Sequence, residues 1–398
     1  MLTAKRFLEI GNSPIVEAMH QVAVLKAAGR DIISLAAGEP DFNTPEHIAN
    51  AGKEAINAGK TKYTCESGLL ALRKAICGKF KRDNNLFYTS EQVIASSGGK
   101  QIITNALIAT LNPSEEAIIP APYWTSYPNM VRINYGVPVI VKCSAENNFK
   151  LTPKQLEAAL TNKTKLLFIN SPGNPSGAVY TENELAALGE VVTSHPTLVV
   201  LADDVYEHTV YDQKFITPAQ INSKLYERTI TMNSVSKSYS MTGWRIGFAG
   251  GPEDIIQTMH KIQAQTTMHP STISQHAAIA ALTGPQTFVH QAQVIFKERR
   301  DLVCSLLNMI DGIECAIPQG AFYAYPSVGR LLGKYTPQGK TLQNDRDVME
   351  YFLNEADVAT VYGEAFGLSP YLRISYATST ELLTEACRRI DEACKKLK

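Results

Sequence analysis

Seven short apolar runs, at 92–95, 116–119, 137–141, 165–169, 198–201, 229–232 and 246–250, punctuate the first two-thirds of the chain. Gly, Pro and Asn bound them, and most are separated by segments of helical periodicity. Short strands alternating with helices predict an α/β architecture around a largely parallel sheet buried on both faces. Upstream, 13–28 reads as an amphipathic helix and 32–35 as a strand. Near 285 the character changes. A helical stretch at 286–309 leads into a strand-like run at 320–326 and a Gly- and Pro-bearing stretch at 327–345 that reads as a surface loop. A helix at 347–355, a strand at 371–376 and a closing helix at 381–397 follow. At 398 residues the chain exceeds one ordinary core. The expected division is a large α/β domain over 46–284, and a smaller α+β domain made from 1–45 together with 285–398.

Charge narrows the function classes. Lys+Arg 38 balance Asp+Glu 38, so neither a nucleic-acid surface nor a polybasic membrane patch is expected. No apolar run approaches the ~20 residues that span a bilayer, and the charged N-terminus has no apolar stretch behind it. The seven cysteines are scattered without a Cys-x-x-Cys pair. That pattern predicts free thiols in a reducing cytoplasm and no metal site.

The most informative stretch is Ser234-Val-Ser-Lys-Ser-Tyr-Ser-Met-Thr-Gly-Trp-Arg-Ile-Gly, 234–247, between two apolar runs. A solvated loop is the plainer reading of an isolated Ser-x-Ser-Lys. The chemical reading makes Lys237 a nucleophilic amine that condenses with a cofactor aldehyde and later moves a proton. Ser234, Ser236 and Arg245 would then offer hydroxyl and guanidinium donors to a phosphate.

Other segments supply what such a cofactor requires. Pyridoxal phosphate draws electrons only while its ring nitrogen stays protonated, which calls for a carboxylate partner. Leu201-Ala-Asp-Asp-Val-Tyr offers Asp203 at a strand end, where open α/β sheets bind ligands, with Tyr206 close behind for the ring hydroxyl. Adjacent acids at a strand end are otherwise ordinary caps. Ser97-Gly-Gly-Lys-Gln opens a helix, so Gly98, Gly99 and Lys100 would meet a phosphate at its positive end. Neither a Walker A loop nor a Gly-x-Gly-x-x-Gly after the first strand is present. Asn174, in Asn-Ser-Pro-Gly-Asn-Pro-Ser-Gly, is either part of a turn or an amide donor. Trp124 is either a core residue or a stacking platform.

Together these segments resemble the class I, fold type I pyridoxal-phosphate-dependent aminotransferases, in the bacterial aspartate aminotransferase branch. The resemblance runs from Leu35-Ala-Ala-Gly-Glu-Pro-Asp-Phe to Leu372-Arg-Ile-Ser-Tyr-Ala. It implies a mostly parallel seven-stranded sheet flanked by helices, plus a smaller α+β domain. It also implies that Lys237 carries pyridoxal 5'-phosphate, Asp203 pairs with its ring nitrogen, and Tyr206 and Asn174 donate to its ring oxygen. Trp124 stacks on the ring, and Ser234, Ser236, Arg245 and the Gly98-Gly99-Lys100 turn hold the phosphate. Arg373 grips the substrate α-carboxylate beside a backbone contact from Gly38. Tyr63 reaches the neighbouring subunit's phosphate, which implies a homodimer with shared sites. The substrates are amino acids and 2-oxo acids, exchanged by double displacement.

Substrate choice is divided. Lys100 matches a lysine that attracts a distal carboxylate, which favours aspartate and 2-oxoglutarate. Ile15 stands where related enzymes often have a threonine, and would suit an aromatic or broad specificity. Gly11 stands where prephenate-using relatives have a lysine, which disfavours prephenate. A carbon–sulfur β-lyase shares most of these residues. A regulatory protein with an aminotransferase-like domain is disfavoured, because there is no room for an appended helix-turn-helix domain before residue 30 or after 376 and the lysine, aspartate and arginine set is intact.

Overall fold

Every one of the seven apolar runs becomes a strand of a single sheet. A short β1 (Ile33–Ser34) is followed by β2 (Val93–Ser96), β3 (Glu116–Ala121), β4 (Val137–Lys142), β5 (Thr164–Asn170), β6 (Val199–Asp203), β7 (Thr229–Ser234) and β8 (Gly247–Gly250). The computed structural model describes residues 4, 7, 8 and 10–398, so the other positions of the expected 1–45 segment lie outside the described residues. The sheet order is β2-β8-β7-β6-β5-β3-β4. The pairs β3–β4, β3–β5, β5–β6 and β6–β7 are parallel, whereas β8 runs antiparallel to both β7 and β2.

Burial explains why most of these strands read as apolar runs, β7 with its interleaved Thr229 and Thr231 being the exception. Every residue of β2, β7 and β8 is buried, because helices cover both faces. The expectation of burial fails at β4. It has a neighbour on one side only, and Val137 and Ile140 are exposed. Helix starts follow the local chemistry. Thr181 caps the helix Glu182–Ser194 reciprocally with Glu184: Thr181 Oγ1 accepts from the Glu184 N–H at 3.3 Å, and Glu184 Oε2 accepts from the Thr181 N–H at 2.8 Å.

The C-terminal part adds β9 (Tyr323–Ala324), β10 (Val358–Ala359), β11 (Val361–Tyr362) and β12 (Leu372–Ser375). β12 lies between β11 and β9, antiparallel to both, while β10 pairs in parallel with β1 from the N-terminal segment. The final helix, Thr380–Lys395, buries Leu383, Ala386, Cys387, Ile390, Ala393 and Cys394, a stripe at helical spacing. The 327–345 stretch departs from a surface loop. Val328, Leu331 and Leu342 are buried, and Ser327 bridges to both Glu314 and Tyr371. Its polar composition hid three anchoring residues. No helix among the described residues is long and apolar enough to cross a membrane.

Behind the sheet lies a buried ion pair. Lys79, on the helix Leu70–Asn84, pairs with Glu207, and both are buried. Glu207 also accepts from Asn84 Nδ2 and Asn233 Nδ2, each at 2.8 Å. Burial alone would push its carboxyl up, but the Lys79 ammonium, His208 and the Asn84 amide together hold it below the usual range. The network therefore ties the helix to two strand ends, through Glu207 after β6 and Asn233 in β7. Removing one partner strands a buried charge. Lys79→Met is expected to cost about 3–5 kcal/mol in denaturant unfolding; a loss below about 1 kcal/mol would place the pair among surface bridges.

Candidate active site

The ends of three adjacent parallel strands converge on one cavity of about 390 Å³. Asn170 closes β5, Asp203 closes β6 and Ser234 closes β7, and all three line it. Such a volume suits a small organic ligand, and the carboxyl ends of the strands are the expected place for one.

Lys237 stands at its centre. Past β7 the chain forms a short helix, Val235–Ser238, whose start is capped by Ser234 Oγ accepting from the Ser236 N–H at 3.1 Å. The Lys237 amine donates to Gly38 O. Burial, supported by the charges of Arg373 and Arg245 and opposed by Glu39, pushes its pKa down to about 8. An amine held there is substantially neutral at mildly alkaline pH, and hence nucleophilic.

Asp203 is buried and accepts a hydrogen bond from Tyr127 Oη at 2.5 Å. Burial raises its pKa to about 6, with the Tyr127 bond opposing. A buried carboxyl raised in this way gains by pairing with a cation. Tyr206 Oη lies 2.8 Å from Tyr323 Oη. Asn170 Nδ2 donates to Asp203 O at 2.9 Å, and its Oδ1 accepts from the Asn174 N–H at 2.8 Å.

A second set of donors sits beside Lys237. The helix Gly99–Thr110 begins at Gly98, whose φ is +88°, and a Cβ there would run into the Arg245 guanidinium. The missing side chain is what lets Arg245 lie against the positive helix end. Arg245 itself is held at φ +56° and donates to Thr242 O at 2.8 Å. Ser234 Oγ lies 2.7 Å from Ser236 Oγ. Hydroxyls, a guanidinium and a helix N-terminus form a donor set made for a phosphate.

Arg373, in β12, has no exposed surface. It donates to Ala36 O at 2.5 Å and to Asn174 Oδ1 at 3.2 Å, over the rings of Tyr323 and Phe366. Burial pushes its pKa down. Gly38, Lys100, Trp124, Asn174 and Ile15 line the same cavity. Gly98 flanks it through Arg245. Tyr63 does not join it: the ring is 87% exposed and stands edge-on to His269. Tyr127, Tyr323, Met19, Glu39 and Thr242 belong to the site but were not singled out from the sequence. Tyr127 follows Trp124 by three residues on the same turn, a usable signal; the rest are brought in by tertiary contacts.

The chain matches the family profile described as Aminotransferase class I and II over residues 30–390. It belongs to that family. The aminotransferase is 53% identical over 386 residues to the aspartate/prephenate aminotransferase of Cereibacter sphaeroides (strain ATCC 17029 / ATH 2.4.9), covering 97% of this chain and 96% of the relative. The crystal structure of the aspartate aminotransferase from Rhizobium meliloti superposes with a TM-score of 0.97 at 49% identity, over 100% of both chains. That of Thermus thermophilus with maleate gives 0.92 at 37%, over 99% of this chain and 100% of that one. The enzyme is a pyridoxal-phosphate-dependent transaminase of fold type I. The residues present suit that cofactor: a part-buried amine, a buried carboxyl without an ion-pair partner among the described residues, and a cationic, hydroxyl-rich cradle share one cavity.

The rate at which apo-enzyme takes up pyridoxal phosphate is expected to rise with pH to a midpoint close to 8, then flatten. Stopped-flow absorbance would check this. A rate still climbing toward pH ~10, the ordinary lysine range, would contradict the depressed amine.

Proposed function

We propose that this aminotransferase prefers aspartate as amino donor, with 2-oxoglutarate as acceptor. The observation that carries the reading is a further cation in the cavity, beside Arg373, Arg245 and Lys237. Lys100 stands with its ammonium 5.0 Å from the Trp124 ring centroid, in the cavity that also contains Arg373. Burial, supported by Arg245, pushes the Lys100 pKa down, so a second substrate carboxylate would restore what the site takes away. The Thermus thermophilus relative was solved with maleate, a dicarboxylate. Aspartate stands in the names of the relatives from Cereibacter sphaeroides and Rhizobium meliloti.

In this reading Lys237 carries the cofactor, Asp203 pairs with the ring nitrogen and Trp124 stacks on the ring. Tyr206 and Asn174 donate to the ring oxygen; Asn174 Oδ1 already accepts from Arg373, which leaves its amide N–H groups to donate. Ser234, Ser236, Arg245 and the Gly98-Gly99-Lys100 turn hold the phosphate. When bound, pyridoxal phosphate supplies an electron sink for the pair released at the substrate Cα. Arg373 presents its fork to the α-carboxylate beside Gly38, which fixes the Cα–H bond in place. Lys237 Nζ, neutral once displaced, would take the proton from the substrate Cα and hold it for re-delivery.

Ile15 and Met19 give the cavity an apolar wall, and this supports an aromatic or broad specificity as the second reading. The Cereibacter sphaeroides relative is also named for prephenate, so prephenate belongs among the acceptors tested, although Gly11 offers no side chain. A carbon–sulfur β-lyase would instead split a cysteine-type substrate into a thiol, pyruvate and ammonia. The exposed Tyr63 supports a homodimer in which it serves the neighbouring site. The division at 46–284 against 1–45 with 285–398 is supported by a hydrophobic cluster that joins Ile33 and Leu35 to Phe296, Phe352 and Leu383. A cytoplasmic location is the corresponding expectation.

Aspartate with 2-oxoglutarate should yield oxaloacetate and glutamate; absence of that transfer, with a cysteine S-conjugate cleaved to thiol, pyruvate and ammonia, would overturn transfer in favour of elimination. Lys237→Ala should abolish the bound cofactor's visible absorbance and lower turnover by about 10²–10⁴-fold or more; near-normal turnover would refute the assignment. Lys100→Ala should lower kcat/KM for aspartate by about tenfold or more while largely sparing aromatic donors, as loss of a charged hydrogen bond implies. Equal losses for both would remove its specificity role.

A further inference from the structure

Tyr323 lies where the two halves of the proposed site meet. It is the first residue of β9 and pairs with Ser375 of β12, the strand that carries Arg373. Its side chain is fully buried. On one side its ring supports the Arg373 guanidinium, whose Cζ lies 4.7 Å from the ring centroid. On the other its hydroxyl lies 2.8 Å from that of Tyr206, the two rings standing edge to face at 5.7 Å. A Cβ on Gly38 would come within 2.8 Å of Tyr323 Oη, so glycine is what admits the hydroxyl beside the backbone that receives the Lys237 amine.

The direction of the tyrosine–tyrosine bond follows from the neighbours. A guanidinium only donates, and the Gly38 methylene does neither, so among the described residues Tyr206 Oη is the acceptor available to the Tyr323 proton. If Tyr323 donates, the Tyr206 proton is left for a group in the cavity. A hydroxyl that already accepts is a stronger donor onward. The cation over the Tyr323 ring is held by the ring face.

We propose that Tyr323 is a positioning residue for transamination: its hydroxyl donates to Tyr206, and its ring carries Arg373. One side chain thereby sets both the ring-oxygen donor and the carboxylate anchor. The inference rests on the assignment of Tyr206 and Arg373 above.

The test uses holoenzyme and two readouts: the pH midpoint of the bound cofactor's visible absorbance, and the Kd for maleate. Tyr206→Phe should raise the midpoint, because a ring oxygen without its donor keeps its proton partner to higher pH. Tyr323→Phe keeps the ring and loses the hydroxyl. It should raise the midpoint by about half a unit or more and leave maleate binding within about threefold. Tyr323→Leu removes the platform and should weaken maleate by about fivefold or more. In the double variant Tyr206→Phe/Tyr323→Phe the midpoint should equal that of Tyr206→Phe alone. An unmoved midpoint in Tyr323→Phe, or shifts that simply add in the double variant, would overturn the proposal. An unmoved midpoint in Tyr206→Phe would instead overturn the assignment of Tyr206. The Phe arm decides the hydroxyl's role even if the Leu variant does not fold.

Discussion

A guanidinium with no exposed surface is the constraint that organises this molecule. Burying a cation is costly unless its hydrogens find acceptors. Arg373 is the largest of the fully buried side chains, and its acceptors are neutral: Ala36 O and Asn174 Oδ1. Its Nε is buried without a partner among the described residues. The groups around it come from the N-terminal segment, the loop after β5, the strand β9 and the turn that holds Phe366. Four distant stretches of chain must therefore arrive together for this cation to be tolerated. Held by neutral acceptors alone, it remains poised for an anion.

The main lines of this arrangement were legible in the sequence. Buried on both faces, β2, β7 and β8 carry no charged residue and so were readable as strands, even though β7 includes Thr229, Thr231 and Asn233. The parallel order followed from the helices between them. Lys237, Asp203, Ser234 and Asn174 were legible because each sits at or just beyond a strand end, where local sequence and site position coincide. β8 was readable as a strand but not as an antiparallel one, since strand direction is set by pairing and not by residue type.

What escaped was long-range. Tyr323 looked like one residue of an apolar run, and its partners Tyr206 and Arg373 are remote in the chain. Lys79 was not singled out from the sequence, yet it is buried against Glu207. A charged residue on a helix is usually solvated, and only the three-dimensional pairing reverses that expectation. Tyr63 was the opposite case: its assigned role concerns a neighbouring subunit, and within one protomer it is simply exposed.

The 234–247 segment leaves β7 at Ser234 and re-enters the same sheet at Gly247, and those two residues are register partners. Both ends of the excursion are thus fastened to one rung of one ladder. The amine of Lys237 and the guanidinium of Arg245 ride on this closed loop, whose base abuts the backbone of Gly98 and Gly99. Their separation is accordingly a property of a single rigid rung, indifferent to movements between distant parts of the chain. Arg373 and Ile15 belong to other elements. Any adjustment to guests of different size falls on them, while the spacing between the Lys237 amine and the Arg245 guanidinium is inherited unchanged.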